Sequence, residues 1–152
     1  MKSDAVSMAL SDLVVAAGFV RKRDTWYRAT EDLIQVLNVQ KSRYGQQYYL
    51  NLGIWLKPLG EVQFPKENVC HVRIRARQLD EATRAEFEKC LDLDSGITPE
   101  ERENQIRRLV DDVVLPFFAR CESIAQIRQV YNSGVLKRAA VLSTAQEFLT
   151  GQ

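Results

Sequence analysis

The stretch Asp32–Leu56, DLIQVLNVQKSRYGQQYYLNLGIWL, decides the fold. It reads as two long β-strands joined at Tyr44-Gly45. In the second strand Tyr48, Leu50, Leu52, Ile54 and Leu56 alternate with Tyr49, Asn51, Gly53 and Trp55, the period of a sheet with one buried face. In the first, Leu33, Leu37 and Val39 alternate with Asn38, Gln40 and Ser42, while Ile34 and Val36 carry apolar bulk to the other side. An even-numbered loop centred on Tyr44-Gly45 sets Val39 opposite Leu50, Leu37 opposite Leu52, Asn38 opposite Asn51 and Gln40 opposite Tyr49. Both strands then agree about which face is apolar, and a slip of one residue would destroy that agreement.

Working outward, Val6, Leu10, Leu13, Val14 and Ala17 recur at helical spacing between a Ser3 N-cap and a stop at Gly18. Phe19–Arg23 and Thr25–Ala29 form a short hairpin turning near Arg23-Asp24. After the central pair, the prolines and glycine of Lys57–Asn68 mark a loop, with Val62–Phe64 able to touch a sheet edge. Val69–Arg77, VCHVRIRAR, is a fifth strand with Cys70, Val72, Ile74 and Ala76 on one side. His71, Arg73, Arg75 and Arg77 take the other.

From Leu79 the period changes to about 3.6. Leu79, Thr83, Phe87, Cys90 and Leu91 mark a helix capped near Asp80, and Asp92–Ile97 is a linker. Thr98-Pro99-Glu100-Glu101 is a capping box with Pro at the first helical position. The helix it opens carries Ile106, Leu109, Val110, Val113 and Val114 and passes Pro116 only with a break or kink. Ser123 with Gln126 opens a short helix ending near Gly134, and a last helix spans about Val135 to Leu149. The expected fold is α+β: an N-terminal helix, an antiparallel meander of about five strands, and three to four C-terminal helices packed on one face. Residues 1–152 form a single domain, helix plus sheet in 1–78 and helical in 79–152.

Composition agrees. At 152 residues with 45% hydrophobic content the chain suits one globular domain with a substantial core. The net charge of +1 gives no general pull toward nucleic acid or anionic membrane, yet it hides an asymmetry of +5 over 1–78 and −4 over 79–152. Either a basic sheet half neutralises acidic helices, or a polarised surface orients a partner. Cys70, Cys90 and Cys121 are widely spaced with no CxxC, as expected of small apolar thiols in a reducing compartment. No apolar run is long enough to span a bilayer, and Asp4 and Asp12 interrupt the N-terminus where an export signal would be apolar. The expectation is a cytoplasmic protein with no membrane partner.

The segments GFVRKRDTWYR, VLNVQKSRYGQQYYLNLGIW and CHVRIR, in that order, resemble the bacterial family known as domain of unknown function 4304. The residues carrying the resemblance are Gly18, Phe19, Trp26, Val39, Gln40, Asn51, Leu52, Gly53, Cys70 and Arg73. It covers about the first half of the chain, and the helical half contributes little. It implies a small intracellular bacterial domain with no assigned reaction.

The sequence limits the chemistry. His71 is the only histidine, so a two-histidine metal site is impossible within one chain, and a Ser-His-Asp or Cys-His arrangement must use His71 or nothing. On a strand, neighbouring Cys70 would point the other way, and His71 is expected as a surface residue. Asp92-Leu93-Asp94-Ser95-Gly96 starts like a calcium loop but puts Gly96 at a ligand position and Ile97 at the glycine position. Asp111 and Asp112 are about 100° apart on a helix and cannot address one substrate together. No glycine-rich phosphate loop exists. No catalytic residue, metal ligand or cofactor is assigned.

What remains is the polar side of the sheet. The candidate partner-binding residues are Gln40, Tyr49, Asn51, Trp55, Arg73, Arg75 and Arg77, types favoured at interfaces. Asn38 and His71 share that side. Gly53 leaves a gap where a partner or another backbone approaches. This face is either solvated, with Glu31, Asp32 or helix carboxylates pairing the arginines, or covered by a terminal helix, or a recognition surface. The first functional expectation is a binding or interaction protein taking a protein or small anionic ligand, in its specific form an immunity-type inhibitor of a toxic enzyme. Single-stranded nucleic-acid binding is the second, because arginine beside tyrosine and tryptophan on a sheet resembles a stacking platform. The acidic half opposes it. The third is an enzyme with an Arg/carboxylate pocket and no histidine.

Overall fold

The computed structural model describes residues 4–151. Asp4 opens α1 (Ala5–Ala16) by accepting the Ser7 N–H at 2.7 Å; the expected cap, Ser3, lies outside the described residues. Gly18, at φ +101°, ends the helix and turns the chain into the sheet. There β1 (Val20–Lys22), β2 (Thr25–Ala29), β3 (Leu33–Lys41), β4 (Tyr48–Leu56), β5 (Val72–Arg75) and β6 (Ala140–Val141) pair antiparallel in sequence order. The class is α+β as expected, with six strands in place of about five. The central register is the expected one: Leu37 faces Leu52, Asn38 faces Asn51, Val39 faces Leu50 and Gln40 faces Tyr49.

One side of the sheet carries Trp26, Leu37, Leu50, Leu52, Ile54, Val72 and Ile74, all buried, with Leu52 only 1% exposed. On it lie α1 and the C-terminal helices: α2 (Arg84–Cys90), α3 (Pro99–Leu109), α4 (Leu115–Ala119), α5 (Ile124–Asn132) and α6 (Ser143–Thr150). Val6, Leu10, Phe87, Ile106, Phe118 and Ile127 complete the same core. Each such large side chain contributes about 1.5–3 kcal/mol by leaving water. Thr98 caps α3 by accepting the Glu101 N–H, and Ser123 caps α5 by accepting that of Gln126. Pro116 causes no break. The chain between α3 and α4 widens to a π turn over Val110–Val114, in which the Leu115 N–H reaches back five residues to Val110. Pro116, with no N–H to offer, then falls in the first turn of α4.

Two elements differ from expectation. The segment 135–149 is not one helix: a turn follows Gly134 (φ +90°), β6 pairs with β5, and α6 starts only at Ser143. Leu136, Ala139 and Ala140 mimic helical spacing across that turn, whereas Leu142 is half exposed and gives its N–H to the His71 carbonyl. The fifth strand is shorter than Val69–Arg77. Glu67–Val69 and Ala76–Gln78 are single 3-10 turns, and the Gln78 side chain takes the Arg75 N–H, ending the strand there.

Buried polar groups join the layers. Gln35, on the core side of β3, is fully buried. Its amide nitrogen donates to the Phe118 and Cys121 carbonyls at 2.7 and 2.8 Å, and its oxygen accepts from Arg28 Nε at 3.0 Å. It satisfies carbonyls at the end of α4 that would otherwise be stranded. Arg102 does the same for the carbonyls of Cys90 and Asp92.

Candidate functional site

The side of the sheet away from the core is divided into two parts. One part is apolar: Ile34, Val36 and Cys70 are buried together, with Tyr27 and Trp55 packed against them. What covers it is the β4–β5 connection, residues 57–71, neither solvent nor a terminal helix. Phe64 reaches the β1 edge of the sheet from its outer side: it meets the Tyr27 ring edge-on at 5.2 Å and lies beneath Nζ of Lys22, on edge strand β1, at 4.1 Å. Gly53 is the gap that lets the connection settle. A Cβ at Gly53 would stand 3.0 Å from Cys70 Sγ, so the approaching group is the chain's own loop. Trp55 Nε1 donates to the Gly60 carbonyl at 2.9 Å, and a Cβ at Gly60 would stand 3.0 Å from the Trp55 ring.

His71 belongs to this covered part, which corrects its expected place on the surface. It is 5% exposed, its ring 4.2 Å from that of Trp55 and tilted 43° to it. The β4–β5 ladder ends at Ile54–Val72, and His71 Nδ1 accepts the next unpaired N–H, that of Leu56, at 2.9 Å. Burial pushes the histidine pKa down. Cys70 is not beside Val72 on the core side, because the chain bends before β5 begins. Burial pushes its thiol up to about 12, with Glu67 adding to the rise. Cys90 and Cys121 are also buried, and their thiols are likewise pushed up to about 12. These groups fill structural positions and are poor nucleophiles or bases there.

The other part is polar and open. Two adjoining hollows, of about 290 and 390 Å³, share Gln40, Asn51, Glu67 and Arg73 and form one trough across β2 to β5. Its floor is an amide chain. Asn51, 5% exposed, donates to Asn38 Oδ1 at 3.1 Å and to Gln40 Oε1 at 2.9 Å; Asn38 donates to Thr25 Oγ1 at 3.0 Å. Cross-strand pairing dictates this, because Asn38 and Asn51 are opposed in register and Thr25 faces Asn38 on β2.

The three arginines have different partners. Arg73 Nε is paired with Glu67 at 3.2 Å, and Arg77 with Glu88 of α2 at 3.1 Å. Arg75 has no carboxylate within 4 Å among the described residues. Its guanidinium lies 3.8 Å over the Tyr49 ring, and its Nε reaches Asn51 Oδ1 at 3.4 Å. Arg77 covers the same ring at 5.2 Å. Cation–π contact and one hydrogen bond thus hold Arg75 in place and leave its two Nη groups unpaired among the described residues. Of the expected carboxylates, helix residue Glu88 serves; Asp32 instead accepts the Ile124 N–H.

Of the seven candidates, Gln40, Asn51, Arg73 and Arg75 line the trough and Tyr49 supports Arg75. Trp55 is held under the loop, and Arg77 turns to α2 beyond the end of β5. Thr25, Asn38, Glu67, Gln78 and Arg138 also line the trough. Asn38 was readable from alternation. Glu67 and Arg138 come from a loop and a turn without periodicity and left no signal.

A family model described as a domain of unknown function, DUF4304, matches residues 11–120. The match includes the three segments of the sheet half and runs on through α4, so the helices α2 to α4 belong to it. No curated protein and no solved structure matches the chain.

Proposed function

The chain belongs to the DUF4304 family, a membership that carries no assigned reaction, and we propose that it is a binding protein whose trough receives part of a partner. The observation that carries this reading is Arg75. A cation fixed on Tyr49, without a counter-charge, at the side of an open amide-lined trough is suited to recognition. The groups that would transfer protons or attack a substrate are tied up elsewhere: His71 by a backbone N–H, the thiols by burial. The enzyme reading calls for an acid beside Arg73 or Arg75 in a deep pocket. Glu67 is such an acid, but it is engaged by Arg73, and the trough is open. Nucleic-acid stacking has less support, because the Tyr49 ring is already covered by two arginines and Trp55 lies beneath the loop.

The finer form of the proposal is a cytoplasmic, immunity-type inhibitor of a toxic enzyme, for which the opposed charges of the two halves supply orientation. Gln40 is exposed and shared by both hollows, so Gln40→Trp fills the trough without disturbing the core. Immobilised wild-type chain should retain from a lysate of its source cells a protein that then rebinds in purified form. Gln40→Trp should lose it by at least tenfold. Equal retention by both chains would count against the reading.

A further inference from the structure

We propose that the trough selects a carboxylate, the side chain of an acidic residue in a partner polypeptide, and that Arg75 is its receptor. This rests on the binding reading above and adds the chemistry of the ligand. The charge around Arg75 sets the valence. Arg73 is balanced by Glu67 and Arg138 by Glu81, so the hollow that holds all three arginines has one uncompensated positive charge. One charge matches a monoanion and leaves a phosphate dianion half unbalanced.

Geometry sets the shape. Arg75 Nε is taken by Asn51 and its face by Tyr49, while neither Nη has a partner among the described residues. The free end of a guanidinium presents two parallel N–H donors that fit the two oxygens of one carboxylate. The remaining space sets the source. About 390 Å³ adjoins the arginine hollow and is bordered by the hydroxyl and amides of Thr25, Asn38 and Asn68, with Asp24 and Lys66 adding one charge of each sign and so leaving the net charge of the trough unchanged. Such groups are complementary to peptide N–H and C=O groups, and the room far exceeds that needed for an isolated acetate-sized anion.

The test uses the full chain labelled with nitrogen-15 and follows the arginine Nε–H signals. The probes are the blocked peptide acetyl-Gly-Glu-Gly-amide, its Gln counterpart, acetate and inorganic phosphate. The Glu peptide should move the Arg75 signal saturably, and the Gln peptide and acetate should bind at least tenfold more weakly, with phosphate no tighter than the Glu peptide. Arg75→Gln should abolish the response. Arg75→Lys, which keeps the charge and loses the fork, should weaken it about tenfold. Equal binding of Glu and Gln peptides, tenfold tighter phosphate, acetate as tight as the Glu peptide, or an undiminished response in Arg75→Gln would each overturn the assignment. The two readings fail separately. A partner retained by Arg75→Gln but lost by Gln40→Trp keeps the binding trough and removes the carboxylate. Saturable Glu-peptide binding by a chain that retains no partner does the reverse.

Discussion

The two parts of the outer sheet face come from the same alternation and have opposite fates. Around Ile34, Val36 and Trp55 the face is closed by residues 57–71; around Asn38, Gln40, Asn51 and Arg75 it is a polar trough. The dividing position is Gly53, opposite Val36 on one side and Arg73 on the other. On one side of it the residues are apolar and need cover; on the other they are amides that bond to each other and tolerate water. The comparison teaches that strand parity assigns a residue to a face, while the chemistry of its neighbours on that face decides whether the face stays open.

The strongest way to break this division is Gly53→Val. Its Cβ would meet Cys70 Sγ at 3.0 Å and Cβ at 3.1 Å, lifting the connection from the sheet. A loss of about 3 kcal/mol is expected in urea unfolding, at the upper end of overpacking costs. Trp55→Ala removes the platform under His71 and the donor to Gly60, and should cost about 2 kcal/mol by the same measurement.

Mild acid, between pH 7.5 and 5, should act on the covered part. Burial depresses the His71 pKa, so the unfolded chain takes up the proton first as pH falls. The contribution of the neutral ring is therefore fully present above the unfolded value near 6.5 and is lost as pH drops below it toward the folded value. Unfolding free energies should fall between pH 7.5 and 5, and a His71→Asn chain should lose less over the same range. A His71 titration at or above 6.5 would contradict the buried acceptor role. Smallest of all, Gln40→Trp and Arg75→Gln should shift stability by no more than about 0.5–1 kcal/mol, because their side chains border the trough and not the core.

The sequence made the central register readable, since only one pairing of 33–41 with 48–56 buries both apolar sets, and that pairing is observed. The amide and arginine cluster followed from the same alternation. The cover did not. Phe64 reaches the sheet from a segment without period; Cys70 and His71 continue the alternation of the fifth strand but precede the first residue of β5, and parity placed His71 outward without revealing that outward was already occupied there. Gln35 and Arg102 were also hidden, because a lone buried amide or guanidinium is defined by carbonyls from distant parts of the chain. The two-residue strand β6 was too short to interrupt a helical pattern. The opposed charges of the two halves do meet, in Arg28–Glu122 and Arg77–Glu88, yet Arg75 is left out of that neutralisation.

Thiol reactivity tests the division most directly. In a Gln40→Cys chain treated with Ellman's reagent under native conditions, the introduced thiol on the open part should react at once. Cys70, under the loop with its thiol pushed up to about 12, should react only on unfolding, together with Cys90 and Cys121. Cys70 reacting as fast as the thiol at position 40 would show that the connection does not close its part of the sheet, and the contrast between the two parts would be gone.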